Sequence, residues 1–265
     1  MSERVLIERD GHVAEVVMNR AEKSNALDAA MFEALADAGR RLAHDSTVRA
    51  VVLRGDGAHF CAGVDLTTLQ AGLMDNAAFR LRATQRQPGE AGNEFQMPAH
   101  IWRELPVPVI AALQGVAYGG GMQIALGADI RIAAHDARFS IMEMKWGLVP
   151  DMGLMATLPR LMRIDVAKEL VLTGRVLGAE EAQRLGLVTR LAEDPLTAAR
   201  DAAQAIATRS PDAVRGAKAI LERGWRLDPD AALALEAETQ GKVMGLANQI
   251  EAVQANLEKR PPKFA

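Results

Sequence analysis

The sequence predicts a mixed α/β body over residues 1–193 followed by a helical region over 194–265, and three observations carry that expectation. The chain opens on two alternating segments either side of an Asp-Gly turn, Val5 to Arg9 and Val13 to Met18. From Asp28 the apolar period changes from that of a strand to that of a helix. After Ile132 the strand signals thin out, and from about Asp194 helical periodicity runs through Leu257.

Taken in order, Asp10-Gly11 suits the positive φ angles of a tight hairpin, so the first two strands should pair. Met31, Leu35, Ala38 and Leu42 place one apolar stripe on a helix, with Asp28 as its N-cap. Val48 to Leu53 and Val107 to Leu113 are β-branched runs ending in glycine turns at Gly55, Gly57 and Gly115, and read as further strands. Residues 72–98 break the pattern with Gly, Asn, Gln, Pro and mixed charge, and are expected to form a partly helical flap over a site. Asp129-Ile130-Arg131-Ile132 is the last clear strand signal. No fixed-period repeat or low-complexity tract interrupts this order.

Composition narrows the function classes. The 265 residues carry 31 basic and 34 acidic side chains, a net charge of −3 that lacks the cationic footprint of a general nucleic-acid binder. With one cysteine, no internal disulfide or thiolate-rich metal site can form. Met1-Ser2-Glu3-Arg4 does not begin a basic-then-apolar leader. The longest apolar stretch, Val107 to Ala128, is broken by Gln114, Gln123 and five glycines, against the roughly 20 apolar residues of a membrane span. The expectation is a soluble, cytoplasmic protein with no membrane or nucleic-acid partner.

Familiar motifs are missing: there is no phosphate-binding Walker loop, no Gly-x-Ser-x-Gly elbow, no His-Glu-x-x-His pair and no dinucleotide fingerprint after the first strand. His12, His44, His59, His100 and His135 are scattered without metal-ligand spacing, so no metal is expected. Cys61, beside a glycine turn, reads as a small buried side chain rather than a nucleophile.

Two glycine turns and an acidic loop invite a chemical reading. Phe60-Cys61-Ala62-Gly63-Val64-Asp65 follows one strand, and Gly119-Gly120-Gly121 follows another and opens an apolar helix. Uncovered backbone N–H groups at a helix start lie at the positive end of its dipole and can stabilise a developing negative charge. The same glycines also serve tight turns and close packing, and each turn alone admits either role. Glu143, set among Met142, Met144 and Trp146, would have its pKa raised by desolvation, as a base near neutral pH requires; a surface pair with Lys145 is the competing role. Asp151, after Pro150, could equally cap a helix.

Together these segments resemble the crotonase superfamily, the enoyl-CoA hydratase/isomerase family. The resemblance rests on Asn19 to Leu27, Phe60 to Leu66, Gly115 to Gly121, Asp129 to Ala133, the loop carrying Glu143, Leu172 to Arg175, Gly186 to Val188 and the ending Leu257 to Phe264, and covers nearly the whole chain. It implies a crotonase-like spiral of ββα units as catalytic core over 1–193, and a C-terminal helical trimerisation region over 194–265. It implies an acyl-CoA substrate, coenzyme A entering only as part of that substrate with no cofactor bound permanently, and assembly as a homotrimer or dimer of trimers. By position, the N–H groups of Val64 and Gly120 would hold the thioester oxygen. Lys23, Ser24, Ala26, Ala62, Asp65 and Leu66 would line the CoA path, with Lys259 and Lys263 meeting phosphates across a subunit boundary.

The departure from the hydratase pattern decides the expected reaction. Hydratases of the family carry two glutamates, and Gln123 stands in the first place, where an amide can orient water or substrate but cannot exchange a proton near neutral pH. Glu143 stands in the second place, and Asp151 matches the aspartate of dienoyl-CoA isomerases in the family. The expectation is double-bond isomerisation with Glu143 and Asp151 as acid/base and Gln123 toward the substrate. Hydration with Asp151 in place of the missing glutamate is the alternative, and thioester hydrolysis and decarboxylation use the same oxyanion hole. A non-catalytic trimeric CoA-binding scaffold is the third reading, since a fold does not fix a reaction.

Overall fold

The computed structural model describes residues 3–86 and 88–265. β1 (Val5–Asp10) and β2 (Val13–Met18) form the expected antiparallel hairpin, although Asp10 pairs with Val13 and the two loop residues are Gly11 and His12. Only Gly11 needs a positive φ there, +55°. α1 (Ala29–Ala43) starts where Asp28 accepts the Met31 N–H at 2.9 Å, the anticipated cap. β3 (Ala50–Gly55) follows, and then the 72–98 region resolves into helices: α2 (Leu66–Met74), α3 (Asn76–Thr84) and, after an irregular stretch, α4 (Met97–Glu104).

β4 (Val109–Leu113) and β5 (Val116–Tyr118) lead through the triple glycine into α5 (Gly120–Gly127), and β6 (Ile130–Ala133) and β7 (Arg138–Ser140) follow. A 3-10 turn spans Glu143–Trp146. Beyond it come α6 (Leu154–Thr157), α7 (Ile164–Thr173), β8 (Leu177–Gly178), α8 (Ala179–Arg184) and β9 (Arg190–Leu191). Four helices close the chain: α9 (Pro195–Ala207), α10 (Pro211–Gly224), α11 (Pro229–Val243) and α12 (Ala247–Leu257). Among the described residues, six strands make one sheet in the order β1-β2-β3-β4-β6-β9, and β5-β7-β8 make a second. No described helix is long and apolar enough to cross a membrane.

The central strands of the large sheet are parallel and covered on both faces, which is why they read as continuous apolar runs. Strand alternation sorts their side chains: Val51, Leu53 and Ala111 face the main core with Leu35, Trp102 and Met122. Ala50, Val52, Ile110, Ala112 and Ile132 face the other side, where Ala199, Ala203 and Ala207 of α9 pack on them. The boundary expected at residue 194 therefore cuts through a core. Three alanines at four-residue spacing let α9 lie close to the sheet, so α9 belongs to the α/β body and not to an appended region.

α10 is tied in as well. Lys218 Nζ donates to Asp129 Oδ2 at 2.7 Å, to Trp102 O at 3.1 Å and to Val107 O at 3.0 Å, so all three ammonium protons are used in a buried position. Removing one partner of such a pair leaves a charge stranded away from water. Lys218→Met should lower unfolding free energy by about 3–5 kcal/mol in urea titration, whereas a loss below about 1 kcal/mol would mean that Asp129 is readily rehydrated. α11, by contrast, buries no side chain within the chain.

Candidate active site

The two glycine turns meet backbone to backbone. Cys61 N donates to Val116 O and Tyr118 N to Cys61 O, both at 3.0 Å, which lays the 61–64 segment beside β5. A Cβ on Gly121 would stand 2.5 Å from Cys61 O, and one on Gly63 2.7 Å from Tyr118 O. Only glycine fits either position, and Gly63 also needs a φ of +93°.

This approach brings Val64 and Gly120 onto one cavity of about 460 Å³. Leu27 N donates to Gly63 O and Asp65 N to Leu27 O, so the Val64 N–H points away from that bridge. Gly120 is the first residue of α5, whose opening N–H groups have no intrahelical acceptor. Neither N–H has a partner among the described residues. Two free donors thus face a cavity at the positive end of a helix.

Glu143 lines the same cavity and is only 9% exposed. Its Oε1 accepts from Gln123 Nε2 at 2.6 Å, and its Oε2 is buried with no partner. Burial pushes the carboxyl above the ordinary glutamate range, the Gln123 hydrogen bond opposes that, and the charge of Asp151 adds to it. Lys145 takes no part: its ammonium sits over the Trp146 ring, 5.4 Å from the centroid.

Asp65 also lines the cavity, but its carboxylate is committed. It accepts from Thr67 N and Oγ1, at 2.8 and 2.7 Å, and from Arg20 Nη1 at 2.6 Å, and with these bonds it is held at a pKa of about 2. Lys23, Ala26, Ala62 and Leu66, which the resemblance places along the CoA path, line the cavity. Ser24 does not; it occupies a left-handed turn at φ +50° and its carbonyl accepts from Ala62 N. Lys259 and Lys263 do not reach the cavity of their own chain.

Two placements depart from the expectation. Gln123 does not face substrate: it is 2% exposed, and its Oε1 accepts from Met152 N at 2.9 Å while its Nε2 holds Glu143. Asp151 lines a neighbouring cavity of about 300 Å³ with Gln96, His100 and Leu154. It does not cap α6, whose N-cap is Gly153 and which has no side-chain cap. Desolvation by nearby protein pushes its carboxyl up, although the residue itself is exposed to solvent.

Comparison with known proteins decides the lineage. Residues 8–265 match the enoyl-CoA hydratase/isomerase family. The chain is 35% identical over 263 residues to the short-chain-enoyl-CoA hydratase of Clostridium acetobutylicum, covering 97% of this chain and 95% of that protein. It is 31% identical over 268 residues to the mitochondrial methylglutaconyl-CoA hydratase of Mus musculus, covering 98% and 82%. The crystal structure of an enoyl-CoA hydratase from Bacillus anthracis superposes with a TM-score of 0.89 at 31% identity, covering 98% of each chain. This chain belongs to the enoyl-CoA hydratase/isomerase family.

In this family member Asn25, to which the sequence reading gave no role of its own, holds the site together. Asn25, at φ +54°, donates from Nδ2 to Asp56 O at 2.9 Å and His59 O at 2.8 Å, and its Oδ1 accepts from Arg20 N. Asparagine tolerates that backbone better than most residues, which is the one signal the sequence carried. Cys61 donates to Asn25 O, and burial pushes its thiol up to about 12, which removes it as a nucleophile. Met142, Trp146 and Leu148 give the cavity its apolar wall.

Proposed function

We propose that the chain acts on an acyl-CoA thioester and moves a double bond along its acyl group. The observation that carries this reading is Glu143: it is the carboxylate lining the cavity with an oxygen free of any partner, 20 residues from an amide that cannot exchange protons. In a 3-enoyl thioester, Glu143 would take a proton from C2. The C2 electron pair delocalises onto the thioester oxygen, where the Val64 and Gly120 N–H groups stabilise it. The protonated Glu143 then returns the proton to C4, leaving the double bond between C2 and C3. Atoms and charge balance in this transfer.

Asp151, close enough for its charge to act on Glu143, is the second acid/base of this reading. The names of the relatives, hydratases, favour hydration as the alternative, with Asp151 activating water. Assaying crotonyl-CoA hydration beside 3-enoyl- and dienoyl-CoA isomerisation separates the two. Isomerisation should dominate, and Asp151→Asn should slow it by about 10-fold or more without lowering Tm. Dominant hydration would replace the proposal, and absence of turnover with intact CoA binding would leave a scaffold. Exposed Leu221, Trp225, Leu233, Leu246 and Val253 on the last helices support assembly of identical chains.

A further inference from the structure

We infer that Gln123 is a positioning residue that selects which Glu143 oxygen meets substrate and ties that carboxylate to the turn bearing the Gly120 N–H. The inference rests on Glu143 as the base of the proposed reaction. Gln123 is the fourth residue of α5, two residues past the triple glycine, and it does not line the cavity. Its orientation follows from its neighbours: Met152 N can only donate, so it faces Oε1, and Nε2 is left to face Glu143.

The terminal torsion of a glutamate is broad, so a carboxylate without restraint presents either oxygen. The 2.6 Å bond to Oε1 removes that freedom and leaves Oε2, which has no partner, to the reaction. An amide suits this task better than a second carboxylic acid, because it donates at every pH and two carboxylates at that distance could not both ionise. The other end of Gln123 acts on the same point of the site. Met152, whose N–H it holds, places Sδ 2.7 Å from where a Gly120 Cβ would stand, so one side chain connects the base to the backing of the oxyanion turn.

The charged groups around Glu143 are few. α5 carries none, Lys145 lies over Trp146, Asp151 adds negative charge from the following loop, and on the shared cavity stand Lys23 and Asp65, the latter tied to Arg20 and Thr67. On α7, packed against the same turn, Asp165 and Glu169 are engaged by Arg163 and Arg175, and Lys168 is exposed.

The test titrates Glu143 directly, by carbon NMR of glutamate-labelled protein, the signal assigned by its loss in Glu143→Gln. Gln123→Met keeps the length and removes both hydrogen bonds. Its Glu143 midpoint should rise by at least about half a pH unit, since one of the two hydrogen bonds that oppose burial is then lost. Its kcat should fall by about 10-fold or more while KM stays within about threefold, because the reacting group and not the CoA path is disturbed. Gln123→Glu restores the acceptor for Met152 N–H and should raise the midpoint of the pair further. An unchanged Glu143 midpoint in either folded variant overturns the inference, and Gln123→Glu carries the test alone if Gln123→Met does not fold. Shifted midpoints without wild-type turnover would keep the positioning role and remove the proposed reaction. Unchanged midpoints with turnover abolished by Glu143→Gln would do the reverse.

Discussion

Glu143→Gln should lose at least about 100-fold in kcat, the lower range for a positioned general base, with KM nearly unchanged. The amide keeps the size of the side chain and a partner for Gln123, but it cannot take a proton. The same substitution should raise Tm at neutral pH. The folded-state pKa of Glu143 lies above its unfolded value, so its ionised form costs stability at every pH above that unfolded value, and the cost disappears below it. A Tm gain that vanishes as the pH falls below about 4, the ordinary glutamate range, checks the sign. Near-normal kcat in Glu143→Gln would assign the proton transfer to another residue. The acid limb of the wild-type kcat profile should likewise lie above the ordinary glutamate range, with activity lost as pH falls through it.

Gly121→Ala should be nearly as damaging without touching any titratable group. The added methyl would stand 2.5 Å from Cys61 O and 2.7 Å from Cys61 Cβ, so the start of α5 and the 61–64 segment must move apart. In the proposed reaction the Val64 and Gly120 N–H groups would then no longer converge on one oxygen. Loss of one such donor costs about 100–1,000-fold in kcat, and that is the range expected here. Because Gly121 does not require a positive φ, the effect is steric and not conformational. Crystallography of the variant should show the two segments separated by a few tenths of an ångström or more, and full activity with that separation would show that the two donors are not what stabilises the transition state.

The local features of the fold were legible because they arise from neighbours in sequence. Asp28 caps the helix that the Met31, Leu35, Ala38, Leu42 stripe announces, and the opening hairpin needed only a Gly between alternating strands. The 72–98 region was legible as a departure from regularity, and its helices only in part. The end of the body was misplaced: three alanines in α9 look like ordinary helix formers until the sheet that they cover is known. Alanine carries no strong apolar signal, so burial through small size leaves little trace in periodicity.

At the site, the residue types and their order singled out two glycine turns and Glu143 as candidates, and the resemblance to the family narrowed the turns to Val64 and Gly120. Which of them share a cavity was decided by the tertiary structure. So were the commitments of the remaining polar groups: Asp65 to Arg20 and Thr67, Gln123 to Glu143 and Met152, and Asp151 to a cavity of its own. The physical reason is that an amide or carboxylate has a small number of hydrogen-bonding positions, and what occupies them is settled by partners up to 45 residues away in sequence. The sequence by itself marked two glycine turns and a glutamate beside them as candidates; the fold determined which oxygen of that glutamate is free.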